Sequence, residues 1–456
     1  MRSKFLLLMV ACMSLFFSTA IQAQWTQLST VDTMTNSGNS AKYIETLCTD
    51  ASGNVYAAGR FLDHGANEYV AKWDGTSWSE VGTGSNALNA GDYILTICAD
   101  ASGNLYAGGK FKDTTGIYSY VAKWNGTKWA ILGSGQNTGG TFVQSIRSIK
   151  VDAAGNVYAA GEITDASFNY IVTKFDGTNW TQVGTAGFNG AIDAIALDGS
   201  NVYAVGNFTN GSGQQYLAHY NGTAWSEAGA GGGALAANNE IFAVCVDASH
   251  NVYVAGDFTN ANSLKYVAKW NGSSWTALGG ATACGQSTDV DAIYALCVDG
   301  PGNVYAGGGM LDVPGKEFVA KWNGTVWTNF GHLSADNFIA ALAAYGTHIY
   351  AAGGFRDVNL DPYVAAISGS TGIGALATDI YSIYPNPTNG AVIVSFIKAT
   401  DASITLTDLS GKTLATWISD NELQKQCNIS QYASGLYLMK IEAANGQTQT
   451  IKIIKD

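Results

Sequence analysis

The chain has 456 residues, of which 13% are charged and 55 are glycine, and its formal net charge is −12. That acidic balance argues against nucleic acid or an anionic membrane surface as the main partner. The five histidines are scattered, and neither a Cys-x-x-Cys pair nor a His-x-x-x-His spacing occurs. We therefore predict no metal site and no cofactor.

The N-terminal 23 residues are typical of a Sec signal peptide. Arg2 and Lys4 precede the apolar run Phe5–Phe17, and Ala23 stands at the expected cleavage position. The run is too short to span a bilayer comfortably, and no later stretch approaches about 20 uninterrupted apolar residues. We expect export from the cytoplasm and no transmembrane segment in the mature chain.

One unit of roughly 50 residues is written seven times, marked by the segment Asn54–Gly59 and its copies. Units of this length, with short aromatic and β-branched runs and Gly/Asn turns, predict a β-propeller with one four-stranded sheet per repeat. The other copies of the marker segment are Asn104–Gly109, Asn156–Gly161, Asn201–Gly206, Asn251–Gly256, Asn303–Gly308 and His348–Gly353.

The first repeat illustrates the predicted strands of one blade. They are Tyr43–Thr49, Asn54–Gly59, Tyr69–Trp73 and a fourth strand through Trp78 and Val81. The intervening Asp-x-x-Gly and Asp-Gly segments are turn formers, because glycine there supplies the positive φ that tight hairpin turns need.

The seventh repeat stops after its third strand, Tyr363–Ile367, while Trp25–Leu28 matches the fourth strand Trp275–Leu278. A ring in which the N-terminal strand completes the last blade leaves no exposed sheet edge. The predicted fold is therefore all-β, with a seven-bladed β-propeller over residues 24–367 closed by the N-terminal strand.

Two kinds of repeated column are predicted to be structural. Eleven of the twelve tryptophans fall at two repeat positions, so we expect them to pack between blades rather than to mark one binding site. Four cysteines share one position and are expected to be small buried hydrophobes: Cys48, Cys98, Cys245 and Cys297.

The loops that join strand two to three and strand four to one vary between repeats, and they lie on one face of a propeller. Binding residues favour variable loops on a rigid scaffold. Arg60, Lys110, Lys112 and Arg356 would form a basic arc there, either as a solvated rim or as a subsite for an anion such as a uronate. The Asx three residues further on is predicted to form turns, with calcium binding as the alternative; the column is Asp63, Asp113, Asp165, Asn210, Asn260, Asp312 and Asp357.

Three charged residues are predicted near the mouth of the central channel, on the innermost strands. Glu45, Arg147 and Asp193 occupy a position where the other repeats have Leu95, Phe242, Tyr294 and Ala340. Arg147 and Asp193 belong to neighbouring blades, so they either pair with each other or contact a ligand in the funnel.

The repeats resemble bacterial β-propeller repeats of large secreted proteins, as in Val246–Thr259 and Val267–Gly279. This resemblance implies the fold and leaves function open.

After a linker at residues 368–379 the sequence changes character. The segments Tyr384–Gly390, Ile404–Lys412, Ser434–Lys440 and Thr450–Lys455 resemble, in order, the type A C-terminal sorting domain of Bacteroidota type IX secretion. Alternating strands such as Val392–Ile397 predict a small antiparallel β-sandwich over residues 380–456. The resemblance implies that the type IX machinery handles the protein, which would reach the medium or the outer-membrane surface.

The leading functional hypothesis is a secreted or cell-surface binding protein whose variable loops meet a glycan or a protein ligand. The alternative is a secreted polysaccharide-degrading enzyme, a lyase or glycoside hydrolase, with its site in the propeller funnel. Catalysis on sugars requires acids or bases at a working separation, and the sequence assigns no catalytic residue.

Overall fold

The computed structural model describes residues 25–455 with internal gaps. The gaps are 31–41, 64, 113–115, 118, 134–135, 138–139, 231–232, 261, 280–290, 312–315, 332, 334, 358–360, 369–380, 385–387, 389, 409–410 and 444–447. The predicted signal peptide and nearly all of the predicted linker lie outside the described residues. The chain divides into two compact units between Thr371 and Gly372, and each is described by itself. Nowhere in the described part of the chain does a helix reach the length and apolar character that a membrane span requires.

The described residues of the first unit form seven antiparallel sheets, numbered here in chain order. Sheet 1 is β2 (Ile44–Thr49), β3 (Val55–Gly59), β4 (Ala71–Trp73) and β5 (Trp78–Glu80); sheet 2 is β6 (Ile94–Ala99), β7 (Leu105–Gly109), β8 (Ala122–Trp124) and β9 (Trp129–Ile131); sheet 3 is β10 (Gln136–Asn137), β11 (Gly140–Val151), β12 (Val157–Thr164), β13 (Thr173–Phe175) and β14 (Trp180–Gln182); sheet 4 is β15 (Ile192–Asp198), β16 (Asn201–Gly206), β17 (Ala218–Tyr220) and β18 (Trp225–Glu227).

Sheet 5 consists of β19 (Ile241–Val246), β20 (Val252–Gly256), β21 (Val267–Trp270) and β22 (Trp275–Leu278). Sheet 6 consists of β23 (Ile293–Val298), β24 (Val304–Gly308), β25 (Ala320–Trp322) and β26 (Trp327–Asn329). Sheet 7 consists of β27 (Ile339–Tyr345), β28 (His348–Gly353), β29 (Tyr363–Ser368) and β1 (Thr26–Thr30). A short 3-10 helix covers Gly84–Asn86. The predicted N-terminal strand is thus β1, which pairs antiparallel with β29.

The sheets follow one another in a circular order. We call β2, β6, β11, β15, β19, β23 and β27 the inner strands, because each contacts the inner strands of the two adjacent sheets, and β27 of sheet 7 contacts β2 of sheet 1. Apolar clusters fill the space between neighbouring sheets, for example around Ile44 and Val364 between sheets 1 and 7. The four repeated cysteines are free thiols, and burial raises the pKa of Cys98 and of Cys245 to about 12.

The tryptophan at the start of each outer strand connects one sheet to the preceding sheet, which agrees with the packing predicted for this column. Its indole Nε1 donates a hydrogen bond to a main-chain carbonyl of that sheet. The seven bonds are Trp25 to Phe330 (2.7 Å), Trp78 to Leu28 (2.7 Å), Trp129 to Val81 (2.7 Å), Trp180 to Leu132 (3.0 Å), Trp225 to Val183 (2.7 Å), Trp275 to Ala228 (3.1 Å) and Trp327 to Leu278 (3.1 Å).

The end of each sheet where its first two strands are joined is called the turn end. In sheet 1, Asp50 Oδ1 accepts bonds from the main-chain N–H of Ser52 and Asn54, and Oδ2 accepts bonds from the Asn54 amide and the Tyr56 hydroxyl. Asp100, Asp152, Asp247 and Asp299 accept main-chain, asparagine and tyrosine bonds in the same way. A carboxylate with so many donors fixes the turn.

The second unit contains five antiparallel strands: β30 (Tyr381–Tyr384), β31 (Ala391–Thr407), β32 (Thr413–Asn428), β33 (Gly435–Ala443) and β34 (Thr448–Lys455). The predicted strand Val392–Ile397 is therefore only the first part of the longer β31. That part pairs with β30, the second part pairs with β33, and β32 runs along most of β31. Buried Val392, Ile404 and Met439 belong to its core.

Candidate functional site

Every inner strand carries a β-bulge at the same point. In sheet 1, Ile44 pairs with Gly59 and Thr46 pairs with Ala58, so Glu45 is an extra residue without an opposite partner. Bulges re-aim side chains and are frequent beside functional sites. The bulge residues are Glu45, Leu95, Arg147, Asp193, Phe242, Tyr294 and Ala340. This is the column that the sequence placed at the channel mouth, and we call this end of the sheets the bulge end.

The bulge explains the last glycine of each marker segment. A Cβ added to Gly256 would lie 2.2 Å from the main-chain oxygen of Glu240, and at Gly59 it would lie 2.3 Å from that of Tyr43. Real Cβ atoms do not approach a backbone oxygen so closely. In the sequence these glycines serve only to mark the repeats, whereas the structure shows that the bulged backbone requires them.

Five half-buried aromatic rings form a continuous arc at the bulge end, which we call the aromatic crescent. The Phe242 and Tyr294 centroids are 5.5 Å apart, those of Tyr294 and Phe338 6.0 Å, and those of Phe338 and Tyr43 5.5 Å. Tyr93 extends the arc through a shared cation. The rings come from sheets 5, 6, 7, 1 and 2, and only Tyr294 and Phe242 were noted from the sequence.

Arg60 is the cation shared by two of the rings. Its guanidinium carbon lies 5.2 Å from the Tyr43 centroid and 4.2 Å from the Tyr93 centroid. Its Nε donates a 2.6 Å hydrogen bond to Glu45 Oε1. Arg60 and Glu45, predicted as members of two separate groups, therefore belong to one site.

Two more predicted cations border the crescent. The Arg356 guanidinium lies 6.0 Å from the Tyr43 centroid and donates through Nη2 to the Lys42 carbonyl at 3.2 Å. Its Nε is buried and has no acceptor among the described residues. Lys110 Nζ lies 5.8 Å from the Tyr93 centroid. Lys112 is exposed in an isolated β-bridge and contributes no ring contact in the described part of the chain.

Carboxylates offset the predicted basic arc. Besides the Glu45 contact, Asp361 pairs with Lys42 at 3.4 Å, and Asp336 accepts the main-chain N–H of Arg356 at 3.1 Å. Asp92 lies directly beside Tyr93 and accepts its main-chain N–H. The border of the crescent therefore carries charges of both signs, whereas the sequence predicted a basic arc.

At the bulge end of sheets 3, 4 and 5, charged side chains form a separate cluster. Arg147 Nη1 bonds to Asp193 Oδ1, and Nη2 bonds to Glu162 Oε1 at 2.6 Å. Ser145 donates to Glu162 Oε2 at 3.1 Å. Of the two alternatives for Arg147 and Asp193, the structure thus shows the pair.

Glu240, which the sequence analysis missed, completes this cluster. Burial and a hydrogen bond to Asp193 raise the pKa of Glu240 to about 7. Asp193 Oδ2 is buried and has no donor among the described residues. A proton held between the carboxyl groups of Glu240 and Asp193 would give it one.

A cavity of about 330 Å³ lies at the crescent and is lined by Glu45, Tyr294, Phe338 and Ala340. Among the described residues, no group of three or more His, Cys, Asp or Glu side chains is placed to hold a metal ion. The Asx column forms turns where it is described: Asp63 Oδ1 accepts two main-chain N–H groups at 2.7 and 2.9 Å. Asp113 and Asp312 lie outside the described residues.

Comparison with known proteins confirms the C-terminal assignment. Residues 382–456 match the family model of the secretion system C-terminal sorting domain. The domain implies handling by the type IX secretion system, so the protein is directed to the cell surface or the exterior. A search of curated proteins found no match to the chain.

Solved structures similar to the chain come from several bacteria. PorZ, a surface component of the type IX system of Porphyromonas gingivalis, is 16% identical with a TM-score of 0.48 over 93% of this chain and 61% of its own. The extracellular domain of a hybrid two component system of B. thetaiotaomicron is 12% identical, with a TM-score of 0.49 over 95% and 57%. A puromycin-hydrolyzing peptidase of Mycobacterium tuberculosis is 13% identical, with a TM-score of 0.50 over 82% and 61%.

The chain spans less than two thirds of the length of each of these structures, and such low identities bear on the fold alone. The repeated four-stranded sheets give the first unit a propeller-like, all-β fold.

Proposed function

We propose that this type IX cargo is a surface or secreted binding protein whose ligand, a glycan or a protein, docks at the bulge end of the sheets. The observation that carries the proposal is the bulge column. The same backbone feature carries a different kind of side chain from sheet to sheet, and these range from Glu45 and Arg147 to Tyr294 and Ala340. The bulge, its glycine and the indole bond repeat in all seven sheets, so these repeated features do not require such variety.

The proposal includes a seven-bladed propeller over residues 24–367, closed by β1, and a C-terminal β-sandwich over residues 380–456. The circular contacts of the inner strands and the seven indole bonds support closure, since Trp25 and Trp78 make the same bond across the chain ends as the others make within the chain. A cleaved signal peptide at residues 1–23 and a linker at 368–379 complete the predicted organisation.

The enzymatic alternative draws support from Glu240. A carboxyl group with a pKa of about 7 beside Arg147 is a chemically reasonable proton carrier for a polysaccharide lyase, which needs a base near a cation. The alternative predicts unsaturated uronate products that absorb in the ultraviolet, together with loss of turnover in Glu240→Gln.

The test compares the full mature chain with the double variant Tyr294→Ala/Phe338→Ala on a glycan array and in capture from envelope extracts. We expect the wild type to retain a set of ligands that the double variant loses. Tyr345→Ala is the matched control, because Tyr345 lies on the inner strand of sheet 7 at the turn end, where its hydroxyl donates to the Ala51 carbonyl. Identical capture by wild type and double variant would remove the bulge end as the binding site.

A further inference from the structure

The aromatic crescent is not required by the scaffold. The position directly before each inner strand holds Tyr43, Tyr93 and Phe338 in sheets 1, 2 and 7, but alanine in sheets 4 and 6, at Ala191 and Ala292. All of these sheets form the same bulge. Since alanine is sufficient for folding there, the rings serve another purpose.

The crescent rings also differ from the core aromatics in exposure. Phe61, Phe111 and Phe258, which follow the marker segments, are fully buried and pack edge to face on a tyrosine of the same sheet. The five crescent rings are all half-buried. Two of them, Tyr294 and Phe338, line the open cavity and offer ring surface to a ligand.

Hydrogen-bonding groups lie between these rings, and their charges are largely balanced. Glu45 uses one carboxylate oxygen for Arg60, while the buried Nε of Arg356 has no acceptor among the described residues. An anionic ligand would meet Glu45, Asp336 and Asp92 together with the cations. A hydroxyl group can instead donate to the second carboxylate oxygen of Glu45, which adds no charge to the site.

Given the proposed function, on which this inference rests, we propose that the aromatic crescent binds a neutral glycan whose pyranose rings pack on Tyr294 and Phe338 at the cavity, while the Tyr43 ring holds the guanidinium groups of Arg60 and Arg356 in place. The hydroxyl groups at the ring edges bond to Glu45, Arg60 and Arg356. The cavity of about 330 Å³ lies within the range of small-ligand sites and is open, so a chain end or a short internal segment can enter.

The experiment is isothermal titration of the full mature chain with neutral hexasaccharides of the gluco, manno, galacto and xylo series, and with oligogalacturonate of equal length. We expect at least one neutral hexasaccharide to bind, and Tyr43→Ala and Phe338→Ala each to weaken it about tenfold or more. These variants install the residue that sheets 4 and 6 carry at that position, so they should retain the wild-type melting temperature. Tyr294→Leu, which installs the Leu95 type at a bulge, gives an independent loss, whereas Tyr345→Ala should bind as the wild type does.

Three results would overturn the proposal: no binding of any neutral hexasaccharide, binding of oligogalacturonate alone, or neutral binding that all three crescent variants leave unchanged. The broader binding function fails separately. If the crescent variants lose binding of oligogalacturonate or of a captured protein, the bulge end is still a binding site. Only the neutral glycan is then excluded as its ligand. If no ligand of the wild type depends on this end, both proposals fall.

Discussion

The two ends of the sheets in the first unit follow opposite rules. At the turn end, Asp50 and its four equivalents accept nearly the same hydrogen bonds in five of the seven sheets, and in those five the side chains repeat with the backbone. At the bulge end the backbone also repeats, but the side chains differ from sheet to sheet. Side chains that repeat together with their hydrogen bonds maintain the scaffold. Positions where the backbone repeats but the side chain changes are free to select a ligand.

The largest expected effect comes from breaking the bulge itself. Gly256→Ala places a Cβ 2.2 Å from the Glu240 carbonyl oxygen, so we expect a loss of roughly 3 to 5 kcal/mol of unfolding free energy. Gly272→Ala is the matched turn-end change in the same sheet. Gly272 has φ +92° and open space around its Cβ position, so only about 1 to 2 kcal/mol should be lost. Urea unfolding measures both, and equal losses would show that the close approach is relieved by a small backbone shift.

A smaller effect is expected from the carboxylate of the turn end. Asp247→Ala removes the acceptor of Ser249, Asn251 and Tyr253 and should cost about 2 to 3 kcal/mol, with ligand affinity unchanged. At the bulge end, Tyr294→Phe removes only the exposed hydroxyl bond to Asp291 and should change stability by less than about 0.5 kcal/mol. A costly Tyr294→Phe variant would contradict the division between the two ends.

A further small effect is a pH dependence at the bulge end. The pKa of Glu240 is raised to about 7 in the fold, above its ordinary value of 4.5, by burial and by Asp193; Arg147 opposes the rise and Asp257 adds to it. The resulting stability is fully present below pH 4.5 and is lost as pH rises through 7. Because Glu240 is half-buried, solvent screening limits the loss to about 1 kcal/mol.

Glu240→Gln stays neutral and should lack this decline. Melting temperatures of wild type and variant at pH 4.5 and pH 8 measure the difference. Parallel pH profiles would mean that Glu240 is ionised throughout, without a shared proton.

The sequence predicts the strands well because their signals are local. Trp25–Leu28 matches the outer strand Trp275–Leu278 in its residue pattern, and β1 does pair with β29. The site is less predictable because it depends on contacts between repeats. The bulge is a one-residue slip between β2 and β3 whose sequence signal is the last glycine of the marker segment, and it brings Glu45 to Arg60, 15 positions away. The carboxylates that offset the arc include Asp336 and Asp361 from the last sheet, far from Arg60 in the chain.

The indole bonds have a consequence for how such a protein can evolve. Each bond joins the outer strand of one sheet to the sheet before it. The bond of Trp25 to the Phe330 carbonyl has the same form as that of Trp275 to Ala228. Every sequence copy is therefore connected to the preceding copy by the same hydrogen bond. Recombination that inserts or deletes one copy would preserve every such bond. Each such event would add or remove one residue of the bulge column. Gene duplication could then change the set of side chains at the bulge end, while the N-terminal strand still joins the last sheet through the same contacts.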